Sequence, residues 1–171
     1  MDLLVVARRL VHVVLGALWV GMAVFTATFL TPAIQDTGPD GGKVMVALQR
    51  RGVMTVLPVL AVGTLLSGIW LYWRASFGFH PSYLTPRVGL AFALGGAAPL
   101  VAYGLGITVV RPAMLRATAL AQALGSATTE QERAKRLAEI QRLRARGATA
   151  GRLVARLLIV AAAAMAIARY V

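Results

Sequence analysis

The chain has no cysteine, which excludes disulfides, thiolate zinc sites and iron–sulfur clusters. It has two histidines, His12 and His80, too few for a metal site built from histidine alone. Acidic residues are scarce as well. Six Asp and Glu stand against eighteen Lys and Arg, for a formal net charge of +12. Charged residues make up 14% of the chain, against about 25% in an average soluble domain. No Gly-rich phosphate loop, Ser/His/Asp set or pair of neighbouring carboxylates suited to acid–base work is present. The arginine-rich segment lacks interleaved aromatic rings, so nucleic-acid binding has no stacking platform. These gaps favour a non-enzymatic role and exclude an ordinary soluble enzyme.

What is present is apolar. The 171 residues are 58% hydrophobic, with a mean hydropathy of +0.73. A run of about 18 or more apolar residues reads as a transmembrane helix. Leu10 to Ile34, Val53 to Trp73 and Val88 to Val110 contain no Asp, Glu, Lys or Arg. A fourth run, Leu157 to Ala168, is shorter and bracketed by Arg156 and Arg169. Snorkelling arginine stems extend it to about 153–171. The expected fold is an all-α integral membrane protein and a single membrane domain over 1–171. Its four spans cover about 10–34, 53–73, 88–110 and 153–171. Arg8 and Arg9 before the first run raise the alternative of a signal peptide. That run exceeds the usual 7–15 residues, and no small-x-small site closes it.

Lys and Arg collect on the cytoplasmic side of membrane proteins. Connections one and three carry twelve of them, while Arg8, Arg9, Arg74, Arg87 and Arg169 make five on the other side. Connections one and three are therefore expected in the cytoplasm and both termini outside. Arg8 and Arg9, beside the first helix, pull locally the other way. Trp70, Tyr72 and Trp73 are expected to anchor the second helix at the outer interface.

The first and third helices end alike. Leu30-Thr31-Pro32-Ala33-Ile34 and Val110-Arg111-Pro112-Ala113-Met114 are separated by an offset of 80, and Gly16-Ala17 falls on Gly96-Ala97 at the same offset. Arg51, Val53, Val56, Leu57, Val59 and Ala61 fall on Arg152, Val154, Leu157, Leu158, Val160 and Ala162 at an offset of 101. Either two helical hairpins arose by duplication, as parallel repeats, or apolar segments resemble one another by composition. Small residues recur at helical spacing: Gly89, Ala93, Ala97; Ala98, Ala102, Gly106; Thr64, Gly68; and Ala164, Ala168. They suit helix packing inside the bundle or against a partner. Pro58 and Pro99 predict kinks.

The third connection predicts a cytoplasmic helical hairpin over about 112–147. Pro112 suits a first helical turn, Gly125 a stop, and Thr129-x-x-Glu132 a capping box for a helix ending near Gly147. Glu132 and Arg136 form an i,i+4 pair. Arg111 to Arg152 holds nine basic and three acidic residues, a net of +6. Such a cluster attracts anionic lipid headgroups, or it is simply the topology signal. Asp36 and Asp40 read as turn formers, with Asp40 placed to cap the helix that begins at Gly41-Gly42.

One ionisable side chain lies inside an apolar run. His12 is followed by Gly16, Trp19 and Gly21, and positions 12 and 19 share a helix face. Gly16 between them leaves room for a flat ring. This His12-x6-Trp19-x-Gly21 pattern resembles the first helix of small bacterial copper-resistance D-like and HemJ-like protoporphyrinogen oxidase membrane proteins. The likeness covers chiefly residues 8–34. It implies a bacterial inner-membrane location, and His12 as a haem or metal ligand. The chain departs from that pattern because no second intramembrane histidine completes a haem pair. Its six methionines (1, 22, 45, 54, 114 and 165) form no copper-suited cluster. His80, expected on the same side as His12, is the one remaining candidate ligand, although His80-Pro81 also reads as a turn.

Two functions follow. The first is a non-catalytic structural or accessory subunit of a larger membrane complex, such as a respiratory or photosynthetic one. It would dock other membrane subunits through small-residue faces and the basic hairpin. The second is a haem- or metal-binding redox protein using His12, with His80 as a second ligand. A transporter for an uncharged solute has little room in so small a bundle.

Overall fold

A computed structural model describes residues 2–38, 41–84 and 86–170, with the backbone alone for Leu84 and Arg169. The expected cap at Asp40, the snorkelling of Arg169 and the end of the fourth span at Val171 lie outside the described residues or side chains. Among the described residues the chain is helical, without strands.

Helix α1 runs over Leu3–Asp36, starting earlier than its apolar core because Asp2 caps it. The Asp2 Oδ1 accepts the Leu4 N–H at 3.1 Å. The ladder widens to a π turn over Thr26–Leu30, where the Thr31 N–H bonds the Thr26 carbonyl. Pro32 is the cause we assign. Its ring crowds the carbonyl four residues back and it donates nothing, so one extra residue in the preceding turn relieves the clash. Helix α2 (Gly41–Arg50) ends at Gly52, whose φ of +80° turns the chain into α3 (Val53–Ala75). A single turn, α4 (Pro81–Leu84), precedes α5 (Arg87–Ser126). Helix α5 contains a second π turn over Gly106–Val110, again directly before an X-Pro pair, Arg111-Pro112. Helix α6 spans Glu130–Ile167 and closes in a 3₁₀ turn over Ala168–Tyr170.

Helices α1, α3, α5 and α6 are each long and apolar enough to cross a membrane. Their outward faces carry Val13, Leu66, Leu94 and Val160 among many exposed apolar side chains, as lipid contact requires. The four candidate spans thus point to an integral membrane protein. Helix α1 packs mainly on α3, and α5 mainly on α6, giving two hairpins. They share a core of Trp19, Ala61, Ala102, Val154 and Leu158, drawn from all four helices.

The contacts rest on glycine notches. A Cβ on Gly63 would lie 2.5 Å from Leu15 Cδ1, one on Gly68 2.7 Å from His12 Cε1, and one on Gly95 2.8 Å from Met165 Cγ. Bulky side chains of one helix fill the space that the glycines of its partner leave. Thr64, Ala102 and Ala168 of the expected small-residue faces are buried, whereas Ala97 faces outward.

Beyond the shared core, α5 and α6 continue as a second hairpin, packed through Ala113, Ala117 and Leu143. Helix α2 is tied to it where the Gln49 side-chain amide donates to the Thr118 hydroxyl at 2.8 Å. One expectation is corrected here. The hairpin helix does not stop near Gly147: one 38-residue helix, Glu130–Ile167, runs on through the fourth apolar run. Gly147 is a packing notch rather than a terminator, since a Cβ there would lie 2.5 Å from Met114 Cε.

The start of α6 follows the expected capping, with one shift. The Thr129 hydroxyl accepts the Glu132 N–H at 3.1 Å, but Glu132 reaches back to the Thr128 N–H, at 3.2 Å, rather than to Thr129. Arg136 pairs with Glu132 and also bonds the Ala123 carbonyl, fastening the α5–α6 turn.

Two predictions follow from this packing. Gly95→Leu overpacks the α5–α6 seam and costs about 1–3 kcal/mol. Gly96→Leu, one residue away in open space, is tolerated. Thermal unfolding in detergent separates the two variants. The Thr128 N–H and Arg136 also hold the Glu132 carboxyl below the usual glutamate range. A lowered folded-state pKa adds stability that is present at neutral pH, above the unfolded value, and lost as pH falls through the lowered value. The protection factor of amides at the start of α6, which divides out the intrinsic pH dependence of exchange, should therefore fall as the solution is acidified through that range. It should change little with pH in Glu132→Gln.

Candidate functional site

His12 lies half-buried where α1 crosses α3. Its Nδ1 is 2.9 Å from the Thr64 carbonyl, which can only accept, so Nδ1 carries the proton. Ser67 agrees with this assignment. Its hydroxyl donates to the Gly63 carbonyl at 2.6 Å, so toward Nδ1, 3.3 Å away, its oxygen is left as an acceptor. In the neutral form of the ring the lone pair is then on Nε2, for which no hydrogen-bond partner occurs among the described residues. Gly68 makes this possible, because the ring lies against its bare Cα. A histidine whose Nδ1–H is held by a backbone carbonyl is oriented as metal-binding histidines commonly are.

The expected companions divide. Trp19 is buried at 5% exposure in the shared core. Gly16 leaves no slot for a flat ring, because Thr64 Cγ2 lies 3.4 Å from where its Cβ would be. His80 stays in the exposed turn after α3, where its Nδ1 is 2.8 Å from the Ser82 hydroxyl. The two histidines thus engage different partners. Among the described residues no three His, Cys, Asp or Glu gather as a metal site. The sequence pattern at α3, Thr64-x-x-Ser67-Gly68 inside an apolar run, was the legible signal of a polar seat for His12.

The aromatic cluster at the same end also divides. Arg8 stacks over Trp70, with its guanidinium carbon 4.1 Å from the ring centroid. Tyr72 packs on Phe79 and Tyr83 and donates to the Gly89 carbonyl at 3.1 Å. Trp73 is exposed. Arg74 lies 3.8 Å from Asp2. Two of the basic groups at this end therefore have partners within the protein.

Sequence patterns did not reveal a cleft between the helices. Toward the opposite end, the four helices enclose a cleft of about 150 Å³. Both π turns line it, through Ala27 and Leu30 of α1 and Gly106 and Ile107 of α5. In α1, the carbonyls of residues 27–29 lie between the i−5 bond to Thr31 and the resumed α ladder. Pro32 supplies no N–H, so Ala33 is the one remaining backbone donor for three carbonyls. Residues 107–109, ahead of Pro112, are in the same position. The walls are apolar, and Arg111 is the one charged residue of the lining.

Replacing His12 tests the seat. His12→Ala is expected to cost about 1 kcal/mol of stability, the usual worth of a hydrogen bond. His12→Asn, which keeps an N–H donor, should retain most of it. Gly68→Ala should resemble His12→Ala because its methyl displaces the ring. Detergent-solubilised thermal melts compare the three.

Comparisons with protein-family models, with curated proteins and with solved structures found no match to this chain.

Proposed function

We propose that this chain is a non-catalytic accessory subunit of a larger membrane assembly, held by its neighbours within the bilayer and presenting a basic helical platform on the cytoplasmic side. The observation that carries this reading is the size of the extramembrane structure. Helix α6 has 38 residues, about 57 Å at 1.5 Å per residue, against a hydrocarbon core of roughly 30 Å. The excess is ordered helix, packed on α5 and braced by α2. Arg133, Lys135, Arg142 and Arg146 stand exposed on it. A rigid, charged projection of this kind suits docking to acidic surfaces of other subunits. Anionic headgroups add attraction of about 1 kcal/mol for each nearby Lys or Arg.

The charge distribution supports placing this platform inside and both termini outside. Arg8 and Arg74, on the opposite side, are partly compensated by Trp70 and Asp2. The duplication reading gains support from a feature of backbone geometry. The two π turns fall at Thr26–Leu30 and Gly106–Val110, the same offset of 80 as the sequence match. Each half is one hairpin, as parallel repeats require.

A second reading has one specific observation in its favour. The Nδ1–H of His12 is pinned to Thr64 and its Nε2 is left as a lone-pair donor, which suits haem or metal ligation in a redox protein within a bacterial inner membrane. His80 would need another arrangement of its turn to join it.

Mild-detergent extraction of the tagged protein from its native membrane, followed by mass and composition analysis, tests both readings. Stoichiometric recovery with other membrane subunits is expected. Recovery as a lone monomer or homodimer would overturn the accessory role. A haem Soret band or bound metal in that sample, lost in His12→Ala, would establish the second reading.

A further inference from the structure

We infer that Arg152 and Arg156, on the outward face of α6, hold the phosphate of an anionic phospholipid from the leaflet nearer the basic extension. The site lies within the candidate span, apart from the platform residues Arg133, Lys135, Arg142 and Arg146. It does not rest on the accessory role.

The packing of α6 on α5 sets the depth of the two arginines. Gly95 lies against Met165 and Ala161, and Gly147 lies against Ala113 and Met114. The helices run antiparallel between these crossings. Arg156 is therefore level with about Tyr103, and Arg152 with about Ile107. Both levels fall in the uncharged run Val88 to Val110 of α5, which is bounded by Arg87 and Arg111. Measured along α5 from Arg111, they lie roughly 6 and 12 Å inward. The run is about as long as a hydrocarbon core is thick, so the backbone at Arg156 sits below the headgroups.

Both arginines are exposed, and the protein supplies neither with a counter-ion. Arg152 donates to the Thr149 hydroxyl at 3.2 Å. Arg156 has no hydrogen bond or ion pair among the described residues. The nearest acidic residue along α6 is Glu139, which already pairs with Arg142. Ala155, Leu158 and Ala161 are buried on the opposite side of the helix. The face that carries the arginines continues through Ile159, Val160 and Ala163, all exposed.

This arrangement selects a ligand. A guanidinium at hydrocarbon depth is costly unless it reaches a polar partner, and its long stem lets it rise to the headgroups. The planar fork matches a phosphate through paired N–H bonds. Residues four apart are neighbours on a helix surface, so both forks reach one phosphate. Ile159, Val160 and Ala163 then lie where an acyl chain of the same molecule descends. A free phosphate gains nothing from that apolar strip. Two cations with no acid beside them favour a net negative headgroup over a zwitterionic one, whose amine adds positive charge.

Native mass spectrometry tests the site. The full chain, in uncharged detergent, is mixed in turn with phosphatidylglycerol, phosphatidylcholine of the same chains, and glycerol 3-phosphate. One phosphatidylglycerol is expected to stay on each chain, with phosphatidylcholine held about tenfold more weakly and glycerol 3-phosphate not retained. Arg152→Gln with Arg156→Gln should weaken retention about tenfold. Arg142→Gln with Arg146→Gln removes the same charge from the platform and should leave it unchanged. All four positions are exposed, so both double variants should melt as the native chain does. Retention that survives loss of Arg152 and Arg156 overturns the site. Equal weakening in the two double variants also overturns it, since diffuse attraction then accounts for the binding. Equal retention of phosphatidylcholine overturns the selection of a net negative headgroup. Retention of glycerol 3-phosphate overturns the lipid as occupant.

Discussion

Close approach of helix backbones is the constraint on which this structure depends. In a bilayer, burying apolar surface against a neighbouring helix gains little over burying it in lipid, so association relies on fit. The fit here is made by glycines that receive a bulky side chain. Leu15 and His12 enter the notches of Gly63 and Gly68 to join α1 to α3, while Met165 and Met114 enter those of Gly95 and Gly147 to join α5 to α6. Each hairpin is thereby closed by two notches. The hairpins then meet through the shared core around Trp19 and Leu158.

The cleft follows from this arrangement. Tight seams lie within the hairpins, and the space between them is filled less completely. Both π turns face that space, each placed before a proline. Widening a helical turn costs hydrogen bonds that lipid cannot replace, so such turns are tolerated where protein or a cavity meets the freed carbonyls. Their common position beside the cleft is consistent with that rule. It also explains why the interior is apolar in its side chains and polar in parts of its backbone.

Much of the architecture was legible in the sequence. Uncharged runs located the four long helices, and Thr129 with Glu132 located the start of α6. Gly147 was misleading because glycine serves two purposes. It ends helices when the backbone must turn, and it sits inside them when a neighbour such as Met114 must come close. Only the tertiary contact tells the two apart. His12 stood out as an isolated ionisable group, but its seat on Thr64, Ser67 and Gly68 needed the register between α1 and α3. The cleft was not legible at all. It arises from unfilled space among four helices, and no local pattern encodes that. His80 proved local in its surroundings, as its turn-type sequence suggests, whereas Asp36, expected in a turn, is the last residue of helix α1.

The uninterrupted ladder of α6 has a mechanical consequence. Helices α1 and α5 each carry a soft joint at their π turn, whereas α6 contains neither proline nor π turn. It behaves as a stiff lever with one arm in the basic extension and the other in the apolar candidate span. Gly147, Ala148, Gly151 and Val154, near the middle of that lever, form one wall of the cleft. A sideways load on the tip is therefore carried to this wall rather than absorbed along the way, and the jointed helices opposite are the parts free to yield.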